Sequence, residues 1–145
     1  MELVIGPFDP SVHVRSRDHY EAVRREAQFL ELRPEAPPRR FEELSELLLV
    51  QFGHAQVDPV ADRAYLAGEP SFIARVEISD ELVPDVLSAC GELVRVTEEL
   101  DRWARDSDGA ILEASPEVKA YRAVFLAQLR DQLEAGGAKR PELSR

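Results

Sequence analysis

The stretch His13-Val14-Arg15-Ser16-Arg17-Asp18-His19 gathers two histidines, two arginines and an aspartate within seven residues. Guanidinium forks match the oxygens of carboxylates and phosphates, and free N–H groups at a helix N-terminus add partial positive charge. With Ser16 as the N-cap of a helix starting at Arg17, the cluster would sit at a loop-to-helix junction. It would then form an anion site from His13, Arg15, Arg17 and His19, reached by Arg24 further along the helix. A plainer description also fits: a capped helix start whose charges are solvated, with Asp18 complementing the helix dipole.

Other residue types offer less chemistry. Helical metal ligands usually stand four apart on one face, whereas Asp18 and His19 are adjacent and diverge by about 100°. His54 would join them only through tertiary folding, so no metal site is expected. Cys90 falls on an apolar helical stripe, where a lone thiol is usually inert. The pairs Glu42-Glu43 and Glu98-Glu99 are neighbours on helices and point apart, unlike the facing carboxylates of a hydrolase. No phosphate-cradling glycine loop, dinucleotide fingerprint or nucleophile elbow is present, so no catalytic residue and no cofactor is assigned. Trp103, the single tryptophan, ends an apolar stripe beside Arg102 and Arg105. It reads either as the edge of the core or as the anchor of a protein contact.

The elements that must position these residues follow from periodicity and punctuation. Residues 2–5 read as a strand ended by Gly6-Pro7, and Phe8-Asp9-Pro10 as a turn. A helix over 17–32 places Tyr20, Val23, Ala27, Leu30 and, less regularly, Phe29 on one face. Prolines at 34, 37 and 38 break it. A second helix, 39–51, carries the stripe Phe41, Leu44, Leu48 and Phe52, widened by Leu47, Leu49 and Val50, with Gly53 as its cap. Asp58-Pro59 is an N-cap followed by proline at the first helical position, opening a short helix, 59–67. Residues 71–79 alternate as a strand through Ile73, Val76 and Ile78. The longest helix, 81–106, buries Ala89, Leu93, Val96 and Leu100. A third strand is expected at 110–114, joined to the second by a parallel crossover. A last helix, 116–135, buries Val118, Tyr121, Val124, Phe125, Leu129 and Leu133, and ends at Gly136-Gly137.

The expected fold is therefore α+β and mainly helical: about five helices with a small three-stranded sheet, in the order β-α-α-α-β-α-β-α. A single domain spans 1–135, with a flexible C-terminal tail over 136–145. At 145 residues the chain is long enough to build a core without disulfides or structural metal. One cysteine excludes an intrachain disulfide and fits a reducing compartment. The N-terminus lacks the basic and apolar regions of a secretory signal, and no apolar run approaches the roughly 20 residues of a membrane span. A cytoplasmic protein is expected. Sixteen arginines against two lysines fit a GC-rich bacterial genome.

Net charge is −10, and it is uneven. Residues 1–40 balance seven arginines against seven acids and residues 136–145 carry +2, leaving −12 over 41–135. Such a body repels nucleic acid and anionic membrane surfaces.

The run Phe8-Asp9-Pro10-Ser11-Val12-His13-Val14-Arg15-Ser16-Arg17 resembles the opening of small uncharacterised regulatory proteins of GC-rich bacteria. These are of the kind encoded near anti-sigma-factor-type kinases and their phosphatases. The resemblance implies an accessory role in signalling and brings no catalytic residues with it. Together these features predict a non-enzymatic interaction or regulatory module in bacterial signalling, partnered by another protein or by a second copy as a homodimer. The alternative is a protein binding a small anion or other small ligand, conceivably an enzyme, through the 13–19 junction.

Overall fold

A computed structural model describes residues 1–107 and 113–138. Strand β1 (Glu2–Phe8) leads into helix α1 (Pro10–Phe29). Helix α2 (Pro37–Leu48) passes without a break into a π-helical segment, Leu49–Val57, and on into α3 (Asp58–Leu66). Strand β2 (Phe72–Glu77), a single 3₁₀ turn (Asp80–Leu82) and helix α4 (Val83–Asp106) follow, and α5 (Pro116–Ala138) closes the order. The described residues thus form a mainly helical α+β fold with five α-helices and a two-stranded antiparallel sheet. None of their helices is long and apolar enough to cross a membrane.

The sheet carries one correction. Gly6-Pro7 does not end β1. The strand passes through a cis Gly6–Pro7 bond and a register shift, then pairs again at Phe8 opposite Phe72. Gly6 sits at φ +118°, and a Cβ there would lie 2.6 Å from the Phe72 carbonyl oxygen, so glycine alone fits. Strand β2 pairs antiparallel with β1, and the parallel crossover expected after it would end in residues mostly outside those described. The expected third strand falls mostly outside the described residues, and Glu113 and Ala114 within them are irregular. Leu3, Ile5 and Phe8 of β1 and Phe72, Ala74 and Val76 of β2 face the core, while Ile73 faces out.

A two-stranded sheet has two open edges, and side-chain amides occupy both. The Gln132 side chain accepts from Val4 N–H at 2.8 Å and donates to the Val4 carbonyl at 2.6 Å, and Gln128 accepts from Gly6 N–H at 2.8 Å. On β2, Gln56 accepts from Glu77 N–H at 2.7 Å and donates to its carbonyl at 3.0 Å. Each amide supplies the donor and acceptor of a neighbouring strand, which satisfies the backbone and blocks edge-to-edge pairing.

Helix α1 begins seven residues before the expected Arg17 start. Asp9 is its N-cap, accepting from both the N–H and the hydroxyl of Ser11 at 2.9 Å, and Pro10 takes the first helical position. Residues 13–19 therefore lie inside a helix, and the expected free N–H groups of a junction are not there. Gly53 likewise caps nothing, because the chain continues through it as a π-helix.

The core is built from one face of each helix. On α4 it comprises Val86, Ala89, Cys90, Leu93, Val96, Leu100 and Ala104. On α5, Leu126 is buried in place of the expected Val124, which is half exposed. Phe29, Leu30, Leu47 and Val50 lie at the surface rather than in the core. Trp103 is partly buried against the core's edge. Helix α5 runs through Gly136-Gly137 to Ala138, and the rest of the expected tail lies outside the described residues.

Gly6→Ala is expected to cost about 2 kcal/mol or more, because it adds a positive-φ penalty to a backbone clash. Gly91→Ala should instead stabilise by about 0.5–1 kcal/mol, since its Cβ would meet nothing within 4 Å in the middle of α4. Urea unfolding of the two variants checks both signs.

Candidate functional site

His13 is buried, and both of its ring nitrogens have partners far away in sequence. Nε2 lies 2.7 Å from Asp58 Oδ1 on α3, and Nδ1 lies 2.5 Å from the Tyr121 hydroxyl on α5. An ionised carboxylate only accepts, so Nε2–H donates to Asp58. In the neutral ring Nδ1 is then left to accept from the Tyr121 hydroxyl. The imidazole also meets the Phe72 and Tyr121 rings edge-on, at centroid distances of 5.6 and 5.8 Å.

Asp58 gathers further partners. His54 Nδ1 approaches Oδ2 at 3.3 Å, one helical turn before it, and an Arg17 nitrogen stands 3.9 Å from Oδ1. Arg17 itself makes a fork to Asp62, at 3.1 and 2.9 Å. Burial alone would raise the Asp58 pKa. The His13 hydrogen bond and charge, with Arg17 and His54, outweigh it and hold the carboxyl below its ordinary value. Burial beside the Asp58 carboxylate pushes the Tyr121 phenol the other way, well above its ordinary value, so it stays protonated.

Helix geometry explains why these residues meet. His13 and Arg17 are four apart on α1, and Asp58 and Asp62 are four apart on α3, so the two helices present matched pairs. The π-helical segment sets the height of Asp58. Its N–H bonds to the Gly53 carbonyl five residues back, and Pro59 follows without an N–H of its own.

A cavity of about 140 Å³ opens beside this network. Its walls are mainly apolar, from Phe41, Leu48, Leu93, Phe125 and Leu126, with Leu49 and Val57 of the π-helical segment. His13, Arg17, His54, Asp58, Tyr121 and Arg122 bring polar groups to its lining. Arg122 is positioned on three sides. Its Nε donates to the Ser16 hydroxyl at 3.0 Å, its Nη2 donates to the Ser16 carbonyl at 2.8 Å, and its Cζ stands 5.1 Å over the Phe41 ring.

The expected anion cluster is thus divided. Arg15 reaches out to Glu117 at the surface, and Arg24 lies near Glu42 and Glu21. His19 sits edge-on to Phe41 at 6.5 Å. Only His13 and Arg17 of the five come together, around Asp58. Asp58, Tyr121 and Arg122, the residues that complete the site, were not singled out for chemistry in the sequence. Trp103 does not line the cavity. Cys90 is buried with its thiol pushed up to about 11 by desolvation, far from a thiolate nucleophile. No group of three or more His, Cys, Asp or Glu side chains among the described residues is disposed to hold a metal ion.

No protein-family model matches the chain, and neither the search of curated proteins nor that of solved structures finds a significant match.

The Asp58 geometry makes a pH prediction. A carboxyl whose pKa is lowered by folding stabilises the protein above its unfolded value of about 3.9, and that stability is lost as pH falls toward the lowered native value. The stability gap between the wild type and Asp58→Asn should therefore be widest above about pH 5 and narrow toward about pH 2. Urea unfolding across that range measures it, and a gap that is constant or widens in acid would contradict the assignment.

Proposed function

We propose that the chain is a non-enzymatic binding module of regulatory role, whose working site is the cavity between α1, α2, the π-helical segment, α4 and α5. The observation that carries this reading is an apolar chamber with a few converging polar groups, the usual form of a small-molecule site. A π-helical wall supports it, because such departures from α-helix are enriched at functional sites. The 13–19 run contributes through His13, Ser16 and Arg17 from inside α1, not as a helix N-terminus.

Against catalysis stand two features. The Asp58–His13–Tyr121 chain resembles an acid–base relay, yet both imidazole nitrogens are already bonded within the protein, and the phenol is held protonated. The network is better suited to holding helices than to moving a proton. The resemblance of residues 8–17 to regulatory proteins agrees with a sensing or accessory role. A second reading, docking to a protein partner or another copy, draws on Phe29 and Leu66, which are 81% and 84% exposed.

A thermal-shift and ligand-observed NMR screen of compounds the size of a single aromatic ring tests the reading. A ligand at ten times its Kd adds about 1.4 kcal/mol of stability, which moves Tm by roughly 3–5 °C in a domain of this size. The shift should disappear in Ser45→Phe, which places a ring at a cavity-lining position on α2. No binder across the screen, or binders indifferent to Ser45→Phe, would remove the cavity as the working site.

A further inference from the structure

The cavity contains an unmatched charge. Among the described residues no carboxylate lies within ion-pair distance of the Arg122 guanidinium, although the chain as a whole carries −10. The other charges lining the cavity are matched. Arg17 has Asp62, Asp58 has His13 with Arg17 and His54 nearby, and Glu21 has Arg24 at 3.8 Å. Among the described residues Arg122 has only the neutral Ser16 and Phe41. Ser16 takes the Nε N–H with its hydroxyl and one Nη2 N–H with its carbonyl, leaving Nη1 without a hydrogen bond among the described residues. Desolvation pulls its pKa down to about 10, with Asp101 only a distant counter-charge.

A guanidinium held by Ser16 and Phe41, lining an apolar chamber and with Nη1 unbonded among the described residues, is a receptor for one carboxylate. We propose, building on the cavity as the working site, that its ligand is a small monocarboxylate with an apolar body of benzene size, its carboxylate on Arg122 and its body among Phe41, Leu93, Phe125 and Leu126. Size sets the body: a chamber of about 140 Å³ compares with engineered apolar cavities of roughly 150 Å³ that take up benzene. Charge sets the head. One guanidinium edge matches a carboxylate in bidentate fashion, whereas a phosphate dianion would bring a second buried charge with no cation left for it. The net negative charge of the chain opposes an incoming anion, so affinity must come from the local pair and not from long-range attraction. The π-helical wall of the chamber closes on its own glycine: Leu49 lies 2.8 Å from where a Gly53 Cβ would be.

The experiment is calorimetric titration of the full chain with benzoate, benzyl alcohol and 2-naphthoate, in the wild type and in Arg122→Met. Benzoate should bind at least ten-fold tighter than benzyl alcohol, which has the same body and no charge, and 2-naphthoate should bind at least ten-fold more weakly than benzoate. In Arg122→Met the preference for benzoate over benzyl alcohol should fall below two-fold, with benzyl alcohol itself little changed. If that variant does not fold, Arg122→Lys keeps the charge but loses the fork, and should reduce the preference by several-fold. Benzyl alcohol binding as tightly as benzoate overturns the carboxylate assignment and leaves the cavity intact as a site. Binding of none of the three at millimolar concentration overturns both.

Discussion

One buried imidazole constrains the fold more than any other group. His13 on α1 bonds Asp58 on α3 and Tyr121 on α5, across 45 and 108 residues of sequence. A buried polar atom without a partner costs about 1–3 kcal/mol, and a buried carboxylate without one costs more. The three helices are therefore not free to slide. Any shift large enough to break either bond leaves a polar group in the core unsatisfied. Apolar packing alone would tolerate many similar arrangements. The polar chain selects one, and the cavity is what remains between the helices so fixed.

The unusual path of the chain serves this arrangement. Helices α2 and α3 are one continuous helical run interrupted by nine π-helical residues, Leu49–Val57. The wider turn lets Asp58 close its N–H onto Gly53 while its carboxylate points at α1. It also lets His54 and Val57, on the same segment, line the cavity. Arg122 completes the chamber from α5, reaching Ser16 one turn from His13. The sheet backs the site, with Phe72 edge-on to His13 at 5.6 Å; it is sealed at both edges by glutamine amides, and its bulge at Gly6 brings Phe8 against Tyr121 at 4.9 Å.

Much of the architecture was legible because it is local. The 72–77 strand and the apolar stripe of α4 follow from turn chemistry and periodicity within short windows, whereas in Asp58-Pro59 the aspartate caps nothing: the chain enters α3 straight from the π-helical segment and the carboxylate bonds His13. The same Asp-Pro signature at Asp9-Pro10 opens α1, but there the following His13, Arg15, Arg17 and Asp18 look like a polar loop, and Ser16 is an equally good cap. Local rules alone favoured the Ser16 start, and it is the burial of Val12 and His13, the latter against Phe72 and Tyr121, that puts the start at Asp9. The site was harder to see. His13 and Arg17 stand out by type, whereas Asp58 reads as a cap and Tyr121 as a core aromatic, and no local signal marks Arg122. Their roles arise from contacts made 45 to 108 residues apart, and no local pattern encodes them. A π-helix has no sequence signature comparable to a cap, so Gly53 read as a helix end. In retrospect the run from Phe8 to Arg17 is coherent: a core aromatic, a cap, a first-turn proline, two buried residues, and two more that reach Arg122 and Asp62.

The central claim is that His13 and Asp58 act as a unit that fixes α3 against α1. A double-mutant cycle with His13→Ala, Asp58→Ala and the double variant, followed by urea unfolding at neutral pH, tests it directly. The account predicts a coupling energy of about 2 kcal/mol or more, with the double variant clearly less damaged than the sum of the single ones. Additivity to within about 0.5 kcal/mol would mean that the two residues do not depend on each other, and would contradict it.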